Sequence, residues 1–192
     1  MINLKKYKKD NKLIIDINDN VDYYLKKTKL IKNYCDKNNL ILEFKNNNNK
    51  DLKDIEQTIN IKDKKERYEF IYDKVCSYLD KNNNNYCEFI DDICIRDRIN
   101  NNNHKNGCCE CNGRGKCKYL INSICTLNNC ISCKLFTCKT LKEKGIEEKL
   151  NNYVLLKYFF NQKQKDILRF SYWTPKEIII DRLINNKYVR PK

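Results

Sequence analysis

Tyr68-Glu69-Phe70-Ile71-Tyr72-Asp73-Lys74-Val75-Cys76-Ser77-Tyr78-Leu79 is the stretch that decides what kind of fold this chain can adopt. Tyr68, Ile71, Tyr72, Val75, Cys76 and Leu79 recur at three- and four-residue intervals, the spacing that gathers apolar side chains on one face of an α-helix. Such a stripe has to be covered, so the surrounding chain must supply a core. The 192 residues are enough for one ordinary domain or two small ones without disulfide staples.

Working outward, the same period predicts a helix from Val21, through Tyr24, Leu25, Thr28 and Ile31. A third stripe, Tyr86, Phe89, Ile90, Ile93 and Cys94, is read as helical too. Lys12 to Ile17 and Leu40 to Phe44 are short apolar runs compatible with edge strands. Leu150, Tyr153, Val154, Leu155, Leu156, Tyr158, Phe159 and Phe160 are too broadly apolar for an exposed helix and are expected to be buried on most sides. Thr174-Pro175-Lys176-Glu177 has the form of a capping box, and opens a helix expected over residues 175–184.

Three tetra-asparagine runs, Asn46 to Asn49, Asn82 to Asn85 and Asn100 to Asn103, punctuate these elements at unequal spacing. Asparagine favours turns, so each run is read as a solvated loop, and the last as a module boundary. The fold class that follows is mainly α, with α+β possible, carrying an irregular cysteine-rich metal-binding segment. Three modules are expected: a helical one with short strands at 1–103, the cysteine-rich segment at 104–140, and a basic helical segment at 141–192.

A third of the residues are charged, mean hydropathy is −0.81, and no apolar run approaches the ~18 residues of a membrane helix, so a lipid-spanning chain is excluded. The net charge of +14 is discounted in part. Thirty Asn, 23 Ile and 32 Lys against 7 Arg, with no Ala and only 4 Gly, are the residues that an AT-rich bacterial or phage genome encodes. Codon drift acts along the whole chain, however. Residues 1–100 hold 21 basic and 18 acidic side chains, whereas residues 101–192 hold 18 and 7, a net of +11. The excess in the C-terminal half calls for a further cause, such as an acidic partner or a negatively charged metal site.

The first ten residues, Met1 to Asp10, contain no apolar secretory core, so a reducing cytoplasmic environment is expected. Twelve cysteines in such a place point to metal rather than to disulfides. Eight of them, Cys108, Cys109, Cys111, Cys117, Cys125, Cys130, Cys133 and Cys138, fall within 31 residues, with Gly113 and Gly115 among them and Gly107 directly before. These eight are the candidate ligands. Zinc and an iron-sulfur cluster each take four thiolates, so both remain open, as do one site or two. Cys130-Ile131-Ser132-Cys133 has the two-residue spacer that lets both sulfurs reach one ion. Apolar Tyr119, Leu120, Ile121, Leu135 and Phe136 are expected to pack around the centre.

At Cys108-Cys109, Cys117-Lys118-Tyr119-Leu120, Cys125 and Cys133-Lys134-Leu135-Phe136 the chain resembles the bacterial zinc- or iron-chelating cysteine-cluster family. The resemblance spans about residues 107–138. It departs from that family in lacking an Arg-Pro pair before the last Cys and a Cys upstream of the paired one, and in carrying Cys111, Cys130 and Cys138 besides. It implies metal binding and no particular activity.

Elsewhere, Cys76 and Cys94 sit on apolar stripes and read as core, and Cys35 and Cys87 have no partner at ligand spacing. His104 reads as a solvated loop residue. No phosphate-binding glycine loop, dinucleotide fingerprint or zinc-protease helix motif occurs, and the expected role is non-enzymatic. Arg169, Phe170, Tyr172 and Trp173 form a basic-aromatic group able to stack on bases, although a core position for Trp173 is the stronger expectation. The residues expected to touch an acidic partner, whether nucleic acid or a nucleic-acid-associated protein, are Lys116, Lys118, Lys134, Arg169, Trp173 and Arg190. Two further readings compete: an iron-sulfur redox, oxygen-sensing or metal-handling protein, and a winged-helix regulator ending in the apolar Ile178 to Ile184 helix and its basic tail.

Overall fold

The computed structural model describes residues 3–17, 20–86, 89–90, 93–94, 120–121, 124–125, 130–137 and 139–186. Side chains are described within 3–82, 130–137 and 141–186. The chain divides into two units, Met1–Ile71 with Tyr153–Asn161, and Tyr72–Asn152 with Gln162–Lys192.

In the first unit a 3-10 turn, Leu4–Tyr7, leads into β1 (Lys8–Lys9), which pairs antiparallel with β2 (Lys12–Asp16). Helix α1 (Val21–Asn38) then crosses over to β3 (Ile41–Lys45), which pairs parallel with β2 in the register Leu13↔Leu42 and Ile15↔Phe44. Leu13, Ile15, Leu42 and Phe44 are buried, as a period of two requires when one face of a sheet is covered. Helices α1 and α2 (Lys50–Asn60) pack on each other and on α6 (Val154–Phe159), with Ile31, Cys35, Leu52, Ile55, Ile59, Leu155 and Leu156 in the core.

Helix α2 also closes the outer edge of β3. The Asn60 carboxamide accepts from Leu42 N–H at 2.7 Å and donates to Leu42 C=O at 2.8 Å, imitating a neighbouring strand, and Glu56 accepts from Phe44 N–H at 2.8 Å. Backbone groups that would otherwise offer a pairing edge are thereby satisfied. Beside them, Arg67 grips Asp36 through both guanidinium ends, at 2.9 and 3.3 Å, and donates from Nε to the Ile61 carbonyl at 2.8 Å.

The asparagines do more than fill loops. Asn20 and Asn49 cap α1 and α2 with their side chains, and Asn39 and Asn46 take left-handed backbone at φ 50° and 54°. In a chain with four glycines, Asn is the residue best able to stand in for Gly at such positions.

The second unit is built from the rest of α3 (Lys64–Tyr86), the short α4 (Ile131–Lys134), α5 (Lys139–Glu143), α7 (Gln162–Phe170) and α8 (Lys176–Asn185). Two hairpins, β4/β5 (Phe89–Ile90 with Ile93–Cys94) and β6/β7 (Leu120–Ile121 with Ile124–Cys125), and a 3-10 turn, Leu150–Asn152, complete its described elements. Tyr72, Val75, Cys76 and Leu79 are buried along α3, with Ile131, Ile167, Leu168, Ile179, Ile180 and Leu183. Helix α7 packs against both α4 and α8. Buried polar bonds fix these contacts: Ser132 Oγ donates to the Leu168 carbonyl, and Gln164 Nε2 donates to the Leu183 carbonyl at 3.1 Å.

A mainly helical chain with a small three-stranded sheet is thus what forms, and several local expectations change. The run Lys12 to Asp16 is the central strand of its sheet rather than an edge, because Lys8-Lys9 adds a strand with no apolar signal. The stripe at Phe89 to Cys94 makes a hairpin and not a helix. Asp91-Asp92, poor helix formers, stand between its apolar pairs. Asn82 to Asn85 lie inside α3, where the helix begun by the Tyr68 to Leu79 stripe runs on through them. The run Asn100 to Asn103 lies outside the described residues. Finally, the capping box does not form: Pro175 occupies the N-cap without a side-chain bond, and Thr174 Oγ1 turns instead to the Tyr172 carbonyl, 3.2 Å away.

Candidate functional site

Cys130 stands just before α4, and Cys133 lies one turn on, within it. The short helix is anchored from three directions. Ile131 N–H donates to the buried Tyr72 hydroxyl at 3.2 Å, Ser132 is tied to α7, and Lys134 is ion-paired with Asp80 of α3. Cys130 is 1% exposed, and its thiol donates to the Ser171 carbonyl at 3.3 Å.

Four donors converge on the same sulfur. The Cys133 thiol and the backbone N–H groups of Cys133, Thr174 and Trp173 all hydrogen-bond to Cys130 Sγ. The Cys133 thiol bond is the largest influence, and with the three amides it outweighs burial, so the Cys130 thiol is held below the ordinary thiol range. Its bond to the Ser171 carbonyl favours the protonated form and pulls the other way. One acceptor against four donors leaves the thiolate favoured.

The turn that supplies two of these amides carries backbone strain. Trp173 has φ 53°, a left-handed conformation costing a bulky residue about 1–2 kcal/mol. The distortion brings consecutive N–H groups of the 171–174 turn to the sulfur and leaves the indole outside, 47% exposed.

Nearby ionisable groups behave in the opposite way. Burial raises the Cys76 thiol to about 12, against the pull of Lys134, and with added repulsion from Asp80, Asp73 and Cys130. Burial likewise raises the Tyr72 phenol, only partly offset by the Ile131 amide. These two groups keep their protons at neutral pH, whereas Cys130 is prepared to lose its own.

Of the eight sequence-derived ligand candidates, Cys130 and Cys133 come together. Cys125 is described only in its backbone, opposite Leu120 in β6/β7. Cys108, Cys109, Cys111, Cys117 and Cys138 lie outside the described residues, as do His104, Lys116, Lys118, Arg190 and Tyr119. Among the described residues no group of three or more His, Cys, Asp or Glu side chains is arranged to hold a metal ion. Cys35 and Cys76 are core residues, as their apolar surroundings led one to expect for Cys76.

Of the expected partner-binding residues, Lys134 is engaged by Asp80 with its side chain 10% exposed, while Arg169 and Trp173 lie at the surface. The core position expected for Trp173 is therefore replaced by an exposed one. Leu135 is half-buried and Phe136 is exposed, so Phe136 does not pack inward. The donors from Trp173 and Thr174 had no signal in the sequence, since they are main-chain groups some 40 residues downstream of the thiol they serve.

Comparison with known proteins found no matching family model, no matching curated protein and no matching solved structure. Among the described residues, no helix is long and apolar enough to cross a membrane.

Proposed function

We propose that this chain is a non-enzymatic metal-binding module, in which the cysteine-rich segment holds zinc or an iron-sulfur cluster and the basic C-terminal half meets an acidic macromolecule. What supports this most is the gathering of N–H donors on Cys130 beside Cys133. A buried thiolate is costly unless it is both hydrogen-bonded and neutralised by a cation, and the N–H groups supply only the first of these. The donor set fits a thiophilic ion: two sulfurs with a two-residue spacer, one of them favoured as thiolate, next to a segment containing six more cysteines. Cys130 and Cys133 would be two of its ligands, with the remainder from Cys108, Cys109, Cys111, Cys117, Cys125 and Cys138. The ion would act as a cross-link whose binding energy is folding energy.

The test is metal content by mass spectrometry on protein purified without oxygen, alongside thermal unfolding. Cys133→Ser is expected to lose metal and to unfold at a markedly lower temperature, whereas Cys76→Ser keeps full metal content. Equal metal loss in both variants, or wild-type protein that folds cooperatively without zinc or iron, contradicts the proposal. A brown, oxygen-labile spectrum identifies iron-sulfur and opens the redox or oxygen-sensing reading; a colourless protein with stoichiometric zinc identifies the structural one.

A further inference from the structure

Cys130 and Cys133 are both free thiols in direct hydrogen-bond contact, the Cys133 S–H donating to Cys130 Sγ. The main chain holds them at that spacing. Lys134 N–H donates to the Cys130 carbonyl at 3.0 Å, closing the turn that joins the two residues, and Phe136 N–H donates to the Cys133 carbonyl at 3.1 Å. The turn is also tied to other helices, through Ser132 to the Leu168 carbonyl of α7 and through Lys134 to Asp80 of α3. Two sulfurs already in contact reach an S–S bond of about 2.05 Å by turning their side chains.

The two sulfurs are unequally placed. Cys130 is 1% exposed, whereas Cys133 is half-buried. A dissolved oxidant therefore meets Cys133 first, and Cys130 stands behind it within reach. Closing the pair is an intramolecular step, favoured over a second external encounter by the high local concentration of the inner thiol. Opening it again is favoured by the surroundings of Cys130. In the reduced protein its sulfur receives the Cys133 thiol and the N–H groups of Cys133, Thr174 and Trp173, and a disulfide sulfur, a weaker acceptor, gives up that support. Stabilising the reduced form makes a disulfide easy to reduce, which separates an exchanging bridge from a structural staple.

We infer that Cys130 and Cys133 form a reversible thiol–disulfide couple that exchanges with low-molecular-weight disulfides of the oxidised-glutathione type. Cys133 attacks one sulfur of the reagent, RSSR, and its proton goes to the expelled thiolate, which leaves as RSH. Cys130 then attacks the Cys133 sulfur of the mixed disulfide, and the second RSH leaves in the same way. One S–S bond breaks in the reagent and one forms in the protein, and the two electrons taken from the cysteines reside in the two thiols released. In the proposed function the same sulfurs hold a metal ion, and on that reading the closed bridge removes two ligands and releases it; the bridge itself needs no metal.

The experiment equilibrates full-length protein, purified without oxygen, in glutathione buffers of stepped oxidised-to-reduced ratio, with metal content measured on the same samples. Free thiols are blocked with iodoacetamide in denaturant, bridged ones are then reduced and labelled with N-ethylmaleimide, and the labels are placed by fragment mass spectrometry. N-ethylmaleimide on Cys130 and Cys133 together, rising with the ratio and reversed by excess reduced glutathione, is expected. Cys130→Ser leaves nothing to resolve the adduct, and is expected to carry at least about tenfold more glutathione on Cys133 than wild type. A wild-type pair that stays iodoacetamide-labelled, stops as a glutathione adduct or bridges to other cysteines overturns the inference, and in metal-replete protein leaves the metal reading standing. Closure of the pair in protein free of zinc and iron supports the couple and ends the metal reading.

Discussion

Cys35 in the first unit and Cys130 in the second are buried alike, at 0% and 1% exposure, yet their thiols are displaced in opposite directions. Burial dominates at Cys35 and raises it to about 11, with Lys62 opposing and Asp36 adding to the rise. At Cys130 the Cys133 thiol and three amides reverse the effect of burial. The contrast separates two uses of a cysteine: as a small apolar core residue, and as an anchored thiolate. Depth does not distinguish them; the donors around the sulfur do.

The first unit contains its own example of the second case. Burial pushes the Asp36 carboxyl up, but hydrogen bonds from Arg67 and Lys32, with their charges, win and hold it below the ordinary carboxylate value. Arg67→Met is the most damaging way to probe this, because it removes the bidentate partner and the bond to the Ile61 carbonyl. A loss of about 2–3 kcal/mol in urea unfolding is expected, below the full penalty for a broken buried pair because Asp36 retains Lys32 and a third of its exposure. Since the folded value of Asp36 is lowered, its contribution is present above the unfolded value near 3.8 and disappears as pH falls through the folded one. Unfolding of wild type should therefore show an acid-dependent step that Arg67→Met blunts; identical pH profiles would remove Asp36 from the comparison.

Cys35→Ser sharpens the contrast at intermediate cost. A hydroxyl in the apolar core is expected to lower stability by about 1–2 kcal/mol, with metal content unchanged. Loss of metal in that variant would end the division of the cysteines into core and ligand groups. The smallest expected effect is at Asn39, where the backbone is left-handed as at Trp173. Asn39→Gly should stabilise the chain by no more than about 0.5 kcal/mol, visible as a slight rise in unfolding temperature, because Asn tolerates this conformation far better than an aromatic residue does. A large gain there would mean that the strain placed at Trp173 is not special to that turn.

The amphipathic stripes were legible because helical period is a local property: all six residues of the Tyr68 to Leu79 stripe are buried, and Val21 and the 175–184 segment begin and end helices nearly as their periods require. The central place of Lys12 to Asp16 was not legible, since the strand that makes it central is two lysines whose pairing depends on the turn at Asp10 and not on hydrophobicity. The hairpin at Phe89 to Cys94 was missed because its strands are two residues each, too short to show alternation, and the apolar pairs on either side of Asp91-Asp92 keep a helical spacing. At the candidate site, the Cys130-x-x-Cys133 pair could be read directly, but not its hydrogen bonds.

The sequence by itself therefore determined the helical class, the cysteine-rich segment and the basic C-terminal half, all set by residue type and near-neighbour spacing. Only the tertiary structure decided which buried sulfur is favoured as an anion and which rings face solvent. Those depend on main-chain amides and on a strained turn brought against Cys130 from 40 residues away, and backbone groups are the same in every sequence until folding aims them.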